Sequence, residues 1–231
     1  MQAYTLESVA FRYPGRQVFR DLSITIERAA LTALVGDNGS GKSTLLSLLA
    51  GVGKPHAGRV QAHLPGRPAL VVQQSAAAGA FPVTVRGAVA MGRWGRAGLA
   101  GRMTRGDRHV VERVMERMDI RSLATEPLGE LSGGQRQRAL VAQGLAQEAQ
   151  VLLLDEPDAG LDEHARELIG QALQAEAARG VTVVEATHDL ARARAAQHCV
   201  LLAGGRATAH GVPGDPLPDS GNGFEQRLNF P

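Results

Sequence analysis

The sequence predicts an open α/β fold: a largely parallel sheet with helices between its strands and a mostly helical lobe inserted into it. Three observations predict it. The runs "LTALV" (31–35), "VLLL" (151–154) and "VTVVEAT" (181–187) are short and almost continuously apolar, as strands covered on both faces are. Helix-patterned segments separate them, the arrangement that produces parallel strands. Residues 75–147 carry a different signal, mostly helical and basic, and interrupt the strand–helix alternation.

In order along the chain, "DLSITIE" places Leu22, Ile24 and Ile26 on one face, the period of a half-buried strand. "LTALV" leads into a glycine-rich turn, and "STLLSLLAG" then reads as a short buried helix stopped by Gly51. In the inserted lobe, Thr104 and Asp107 of "TRGD" form a capping box ahead of the stripe Val110, Val111, Val114, Met115 and Met118. After "VLLL", Ala165, Leu168, Ile169, Ala172 and Leu173 recur at helical spacing, with Gly180 as the cap. The last residues, "PGDPLPDSGNGFEQRLNFP", read as a loosely packed tail over 213–231.

Composition bounds the rest. The 231 residues are 44% hydrophobic, which supports a full core, and 3% aromatic, which makes that core aliphatic. A formal net charge of +2 is too small to argue for a nucleic-acid partner. The single cysteine, Cys199, lies in the apolar run "CVLLA" and reads as a small buried hydrophobe in a reducing compartment. Neither a secretory signal nor about 18 uninterrupted apolar residues is present, so a cytoplasmic chain without membrane spans is expected.

Between the "LTALV" strand and the helix stands "GDNGSGKST", Gly36, Asp37, Asn38, Gly39, Ser40, Gly41, Lys42, Ser43 and Thr44. This is G-x-x-x-x-G-K-[ST] in the strand-to-helix context that a phosphate-binding loop requires. Its backbone N–H groups can converge on phosphate oxygens at a helix N-terminus. Lys42 supplies a positive charge to the β- and γ-phosphates, and Ser43 a hydroxyl to Mg²⁺. Nucleoside triphosphate binding is therefore expected.

"VLLLDEP" sets two carboxylates at the end of a buried strand, where α/β proteins bind ligands. Asp155 is placed for the Mg²⁺ shell and Glu156 for the attacking water. His188 follows another buried strand and can reach the same crevice. In "LSGGQRQRAL" (131–140), Gly133 and Gly134 stand at a helix start, where each costs about 1 kcal/mol in a helix interior relative to alanine. That cost suggests that something approaches their backbone closely.

With these motifs in order, the chain resembles an ATP-binding-cassette (ABC) ATPase subunit over nearly its full length. The Ser-Gly-Gly-Gln run, Ser132 to Gln135, is that family's own signature. The resemblance implies a P-loop NTPase core with an antiparallel β subdomain and an inserted α-helical subdomain. It divides this single nucleotide-binding domain into a core of residues 1–74 and 148–212 and a helical subdomain of 75–147. Lys42 and Ser43 match the Walker A lysine and serine, Asp155 the Walker B aspartate and Glu156 the catalytic glutamate. "AGLD", ending at Asp162, looks like the D-loop, and His188 like the switch histidine. Tyr13, on its own an ordinary half-buried tyrosine, fits the adenine-stacking position. Of two adjacent glutamines, Gln73 rather than Gln74 fits the Q-loop, where it would touch Mg²⁺ or water.

The resemblance also implies partners. Two such subunits dimerise head to tail, with ATP held between one subunit's phosphate loop and the other's Ser132, Gly133, Gly134 and Gln135. A separate integral-membrane permease would complete a transporter and hold this chain to the cytoplasmic face of the membrane, with a periplasmic or lipoprotein solute-binding protein acting indirectly. "FPVTVRGAVAMGRWGR" (81–96) is similar to the corresponding stretch of zinc and manganese importer ATPases, and siderophore and haem importers carry a related one. An exporter ATPase or a non-transport ABC protein is the remaining alternative. The chain departs from the family pattern at Ala159, where serine is usual, and in "ERAALTALVG", which lacks the usual glycine before the Walker A strand.

Overall fold

The computed structural model describes residues 1–72, 83–97 and 102–213. The alternating N-terminal segment folds as a hairpin. Strands β1 (Gln2–Tyr13) and β2 (Arg16–Glu27) pair antiparallel around a turn whose Gly15 has φ +77°. Leu22, Ile24 and Ile26 are all buried, as their period requires. On the far side of β1 lies β4 (Ala57–Ala62), giving a three-stranded antiparallel sheet of order β2-β1-β4.

The continuously apolar runs form the second sheet. It contains β3 (Leu31–Val35), β5 (Ala69–Val71), β6 (Val151–Asp155), β7 (Thr182–Thr187), β8 (His198–Ala203) and β9 (Arg206–Gly211) in the order β5-β6-β7-β3-β8-β9. All neighbours run parallel except the β8–β9 pair.

Successive side chains of these strands enter two different cores. Leu34, Val151, Leu153, Val184 and Val200 pack with the antiparallel sheet and with Leu45, Leu46, Leu48 and Leu49 of helix α1 (Lys42–Leu49). Ala33, Val35, Leu152, Leu154 and Val183 face the helical side. The helix after the phosphate-loop sequence therefore lies in apolar surroundings from both sheets, which fixes where that loop sits. Burial at this scale contributes about 1.5–3 kcal/mol per large aliphatic side chain.

Between β5 and β6 the described chain is helical: α2 (Val85–Met91), α3 (Trp94–Ala97), α4 (Arg105–Arg117) and α5 (Gly133–Ala146). Helix α4 begins with the expected capping box, the Thr104 hydroxyl accepting from the Asp107 N–H and the Asp107 carboxylate from the Thr104 N–H. Those Thr104 bonds, with Arg93 beside them, hold the Asp107 carboxyl down at about 2. Val110, Val111, Val114, Met115 and Met118 are buried. Helices α6 (Glu163–Ala178) and α7 (Leu190–Ala195) flank β7; in α6 Ala165, Ile169, Ala172 and Leu173 are buried and Leu168 is half-buried.

Where "ERAALTALVG" lacks a glycine, Ala29 itself takes φ +56°, a left-handed conformation that costs an L-residue about 1–2 kcal/mol. Its N–H donates to the Thr182 hydroxyl at 3.0 Å. Cys199 is buried, donates to the Ala193 carbonyl, and has its thiol pushed up to about 12 by that burial. Among the described residues, no helix is long and apolar enough to cross a membrane. Gln73, Gln74 and residues 214–231 of the tail lie outside the described residues.

Candidate active site

Three central strands of the parallel sheet end together. The register pairs Val35 with Thr187 and Asp155 with Ala186, so the residues that follow β3, β6 and β7 emerge at one edge. These are Gly36 onward, Glu156 and His188. Residues 35, 155 and 187, far apart in sequence, thus become neighbours through sheet order alone, at the carboxyl ends where α/β ligands bind.

The phosphate loop is held open by glycine. Gly41 has φ +109°, and a Cβ there would stand 2.7 Å from the buried Phe19 ring. Gly39 has φ +83°, and its carbonyl accepts from Arg16 Nη2 at 2.9 Å. Lys42, 5% exposed, turns back beneath the loop. Its Nζ donates to the Gly36 carbonyl at 2.6 Å and the Asp37 carbonyl at 3.3 Å, and lies 3.5 Å from Glu156 Oε1.

Asp155 is 9% exposed, and among the described residues its Oδ1 has no hydrogen-bond partner. Burial raises its carboxyl above the usual carboxylate range; a hydrogen bond with Ser43 opposes this, Glu156 repulsion adds to it and the Lys42 charge opposes it. An unsatisfied buried carboxylate oxygen beside a serine hydroxyl is an oxygen donor set suited to a hard divalent cation, and Ser43 and Asp155 therefore fit Mg²⁺. Glu156 adopts φ +45°, with its N–H donating to the Ala186 carbonyl at 3.0 Å. Such strain persists only where surrounding structure imposes it. His188 is 64% exposed, with Nδ1 3.8 Å from Glu156 Oε2.

Tyr13, Asn38, Gly39, Gly41, Lys42, Ser43, Thr44 and Glu156 line one cleft of about 320 Å³, together with Arg16 and Val18. The Tyr13 ring is half exposed there, edge-on to Phe11 and 3.5 Å through its hydroxyl from Thr44 Oγ1. A second cleft of about 350 Å³ is lined by Gly36, Asp37, Asn38, Glu156 and His188, so Glu156 borders both. Ser40 borders neither; its hydroxyl is buried and unpartnered among the described residues.

Ser132, Gly133, Gly134, Gln135 and Asp162 line neither cleft. Ser132 instead caps α5, its hydroxyl accepting from the Gln135 N–H and its N–H donating to Gln135 Oε1. Arg136 braces this start by donating to the carbonyls of Leu128, Gly129 and Leu131. An added Cβ would meet nothing within 4 Å at Gly133 and only Leu161 at 3.7 Å at Gly134. The described part of the chain gives no steric reason for either glycine. Asp162 caps α6 by accepting from the Ala165 N–H at 2.8 Å.

Two features escaped sequence reasoning. Arg16 and Val18 follow Tyr13 on the β2 side of the hairpin, and only the pairing of β1 with β2 carries them to the cleft. Outside both clefts, Asp158, Glu185 and Arg192 form a buried ionic cluster. Its one visible signal was Glu185, a charge inside the apolar run "VTVVEAT".

A family model described as "ABC transporter" matches residues 19–159. The chelated iron transport system membrane protein YfeB of Yersinia pestis is 37% identical over 184 residues, covering 76% of this chain and 62% of that protein. The chain thus spans less than two thirds of that relative. The hemin import ATP-binding protein HmuV of Rhodococcus jostii is 34% identical over 92% of this chain and 76% of its own length. The manganese transport system ATP-binding protein MntB of Listeria innocua is 32% identical over 89% and 88%. An ABC transporter solved in an inward-facing conformation aligns with a TM-score of 0.81 at 29% identity, over 92% of this chain and 84% of that one.

Proposed function

The chain belongs to the ABC transporter family as an ATP-hydrolysing ATP-binding domain, and on that premise we propose that it drives import of zinc or manganese through a separate permease. That import falls within a wider role supported by the relatives as a group, an ATP-binding subunit of an importer for metals or for haem and iron chelates. Within it, residues 1–74 and 148–212 act as the ATP-binding core and 75–147 as the helical lobe.

In the proposed mechanism the chemistry is phosphoryl transfer to water. Tyr13 stacks on the adenine, and the backbone of Gly36 to Thr44 cradles the phosphates. Lys42 holds the β- and γ-phosphates; Ser43 and Asp155, with Gln73, would hold Mg²⁺. When bound, Mg²⁺ would supply positive charge against the transferring phosphate. Glu156 polarises the attacking water and His188 fixes its geometry. A homodimer closes on ATP, so that the γ-phosphate meets Ser132, Gly133 and Gly134 of the partner subunit at a helix N-terminus. Asp162 lies near that interface. The chain works at the cytoplasmic face of the membrane, held by the permease, with a solute-binding protein delivering cargo from outside.

The observation that carries the hydrolytic part of this reading is the convergence of Lys42, Asp155 and Glu156 at the carboxyl edge of the sheet, with a buried Asp155 oxygen beside Ser43 that is unpartnered among the described residues. Radioactive zinc and manganese uptake in cells lacking this chain tests the cargo. Loss of uptake, restored by the wild-type chain and not by Lys42→Ala, is expected. The hemin-import relative supports a second reading, haem or iron-chelate import. Unchanged metal uptake together with lost growth on haem would replace the first reading by the second.

A further inference from the structure

His188 stands with Nδ1 3.8 Å from Glu156 Oε2, yet its exposed side chain lies in a short link between the end of β7 and the start of α7. Local bonds shape that link: Asp189 accepts from the Ala191 and Arg192 N–H groups, and the Thr187 hydroxyl accepts from the Asp189 N–H. None of these bonds ties the link to the chain after Glu156.

Arg192 does. One turn past the link, its Nη2 lies 2.5 Å from Glu185 Oε1 on β7, its Nε 3.3 Å from Asp158 Oδ2, and its Nη1 donates to the Arg166 carbonyl on α6 at 3.3 Å. Asp158 is the second residue after Glu156. All three side chains are largely buried: Arg192 is 14% exposed, Asp158 4% and Glu185 2%. Arg192 is the cation facing both buried acids, so removing the guanidinium takes from the cluster the group that joins them.

Buried ion pairs are a poor way to gain stability, since packed apolar residues do as well or better. What this cluster achieves is connection. It joins the loop leaving Glu156 to the strand and helix on either side of His188. We propose that Arg192 is a positioning residue of the hydrolytic site, clamping the segment after Glu156 to the elements that carry His188. The inference rests on Glu156 and His188 being the hydrolytic pair. Nucleotide affinity is expected to change little without the clamp, because most of the cleft lining (Tyr13, Arg16 and the phosphate loop) lies on other elements.

The test is steady-state ATP hydrolysis by the transporter complex carrying Arg192→Ala, Arg192→Lys, His188→Ala or His188→Ala with Arg192→Ala. Misplacement of a catalytic group by a fraction of an ångström costs about tenfold. Arg192→Ala is expected to lower kcat by about that factor, with KM for ATP changed less than about twofold, and Arg192→Lys to recover part of the loss. In the His188→Ala background Arg192→Ala is expected to cause no further loss. An unchanged kcat, a rise in KM in its place, or an undiminished loss without His188 would overturn the proposal. If Arg192→Ala does not fold, Arg192→Lys carries the same cycle. Wild-type turnover by His188→Ala and Glu156→Gln would instead sink the assignment of the pair itself, a result readable without any Arg192 variant.

Discussion

The Lys42 ammonium lies 3.5 Å from Glu156 Oε1, the lysine buried and the glutamate nearly so. Two residues 114 positions apart in sequence meet because β3 and β6 flank β7 in one parallel sheet. On the proposed mechanism, a γ-phosphate entering the loop would compete for the same ammonium. That competition would link binding to hydrolysis through one charge, since Glu156 would be freed as the ammonium turns to the phosphate.

Glu156→Gln keeps the shape of the side chain and removes its charge. Turnover should fall by about 10²-fold or more, the usual worth of a positioned general base. Binding should survive, because Lys42 and the loop glycines are untouched. Phosphate release and titration with a fluorescent ATP analogue measure the two separately.

Gly134→Ala separates the needs of the fold from those of the assembled site. In a helix the substitution is favourable by up to about 1 kcal/mol, and the new Cβ meets only Leu161 at an ordinary 3.7 Å. Thermal unfolding should shift upward slightly while ATP hydrolysis falls at least tenfold, about the effect of misplacing a phosphate contact.

Ala29→Gly should stabilise the chain. The left-handed backbone at φ +56° suits glycine, and relief of about 1 kcal/mol corresponds to a Tm rise of about 2–4 °C for a chain of this size. Differential scanning calorimetry reads this directly, and ATP hydrolysis should not change.

Glu185 gives stability a pH dependence. Burial pushes its carboxyl up to about 7 from an ordinary 4.5; Arg192 works against this, and Asp158 and Asp189 add to it. The folded chain therefore keeps a proton that the unfolded chain releases between about 4.5 and 7. Over that window the unfolded state binds fewer protons, so this group makes stability fall as pH rises, levelling above 7. Glu185→Gln should flatten that slope in urea unfolding measured from pH 5 to 8.

The strands and their burial were legible because continuously apolar runs report coverage on both faces. The meeting of residues 36–44, Asp155, Glu156 and His188 at one sheet edge was legible because each follows such a run. Sequence could not show that Ser132 and Gln135 spend their side chains capping each other's backbone, nor that Asp162 caps α6. It also missed the Asp158–Arg192–Glu185 cluster, since a pairing between a loop, a helix and a strand exists only once the sheet order is known. The missing glycine at Ala29 was legible as an oddity; its cost became visible only as a positive φ.

On the proposed function, ATP is fully enclosed only between two copies of this chain, the phosphate loop of one facing Ser132 to Gly134 of the other. Light scattering of Glu156→Gln with saturating ATP and Mg²⁺, alone and with its permease, tests this most directly. A nucleotide-dependent dimer that is lost on adding Ser132→Arg is the expected result. A strictly monomeric chain under both conditions would contradict the account.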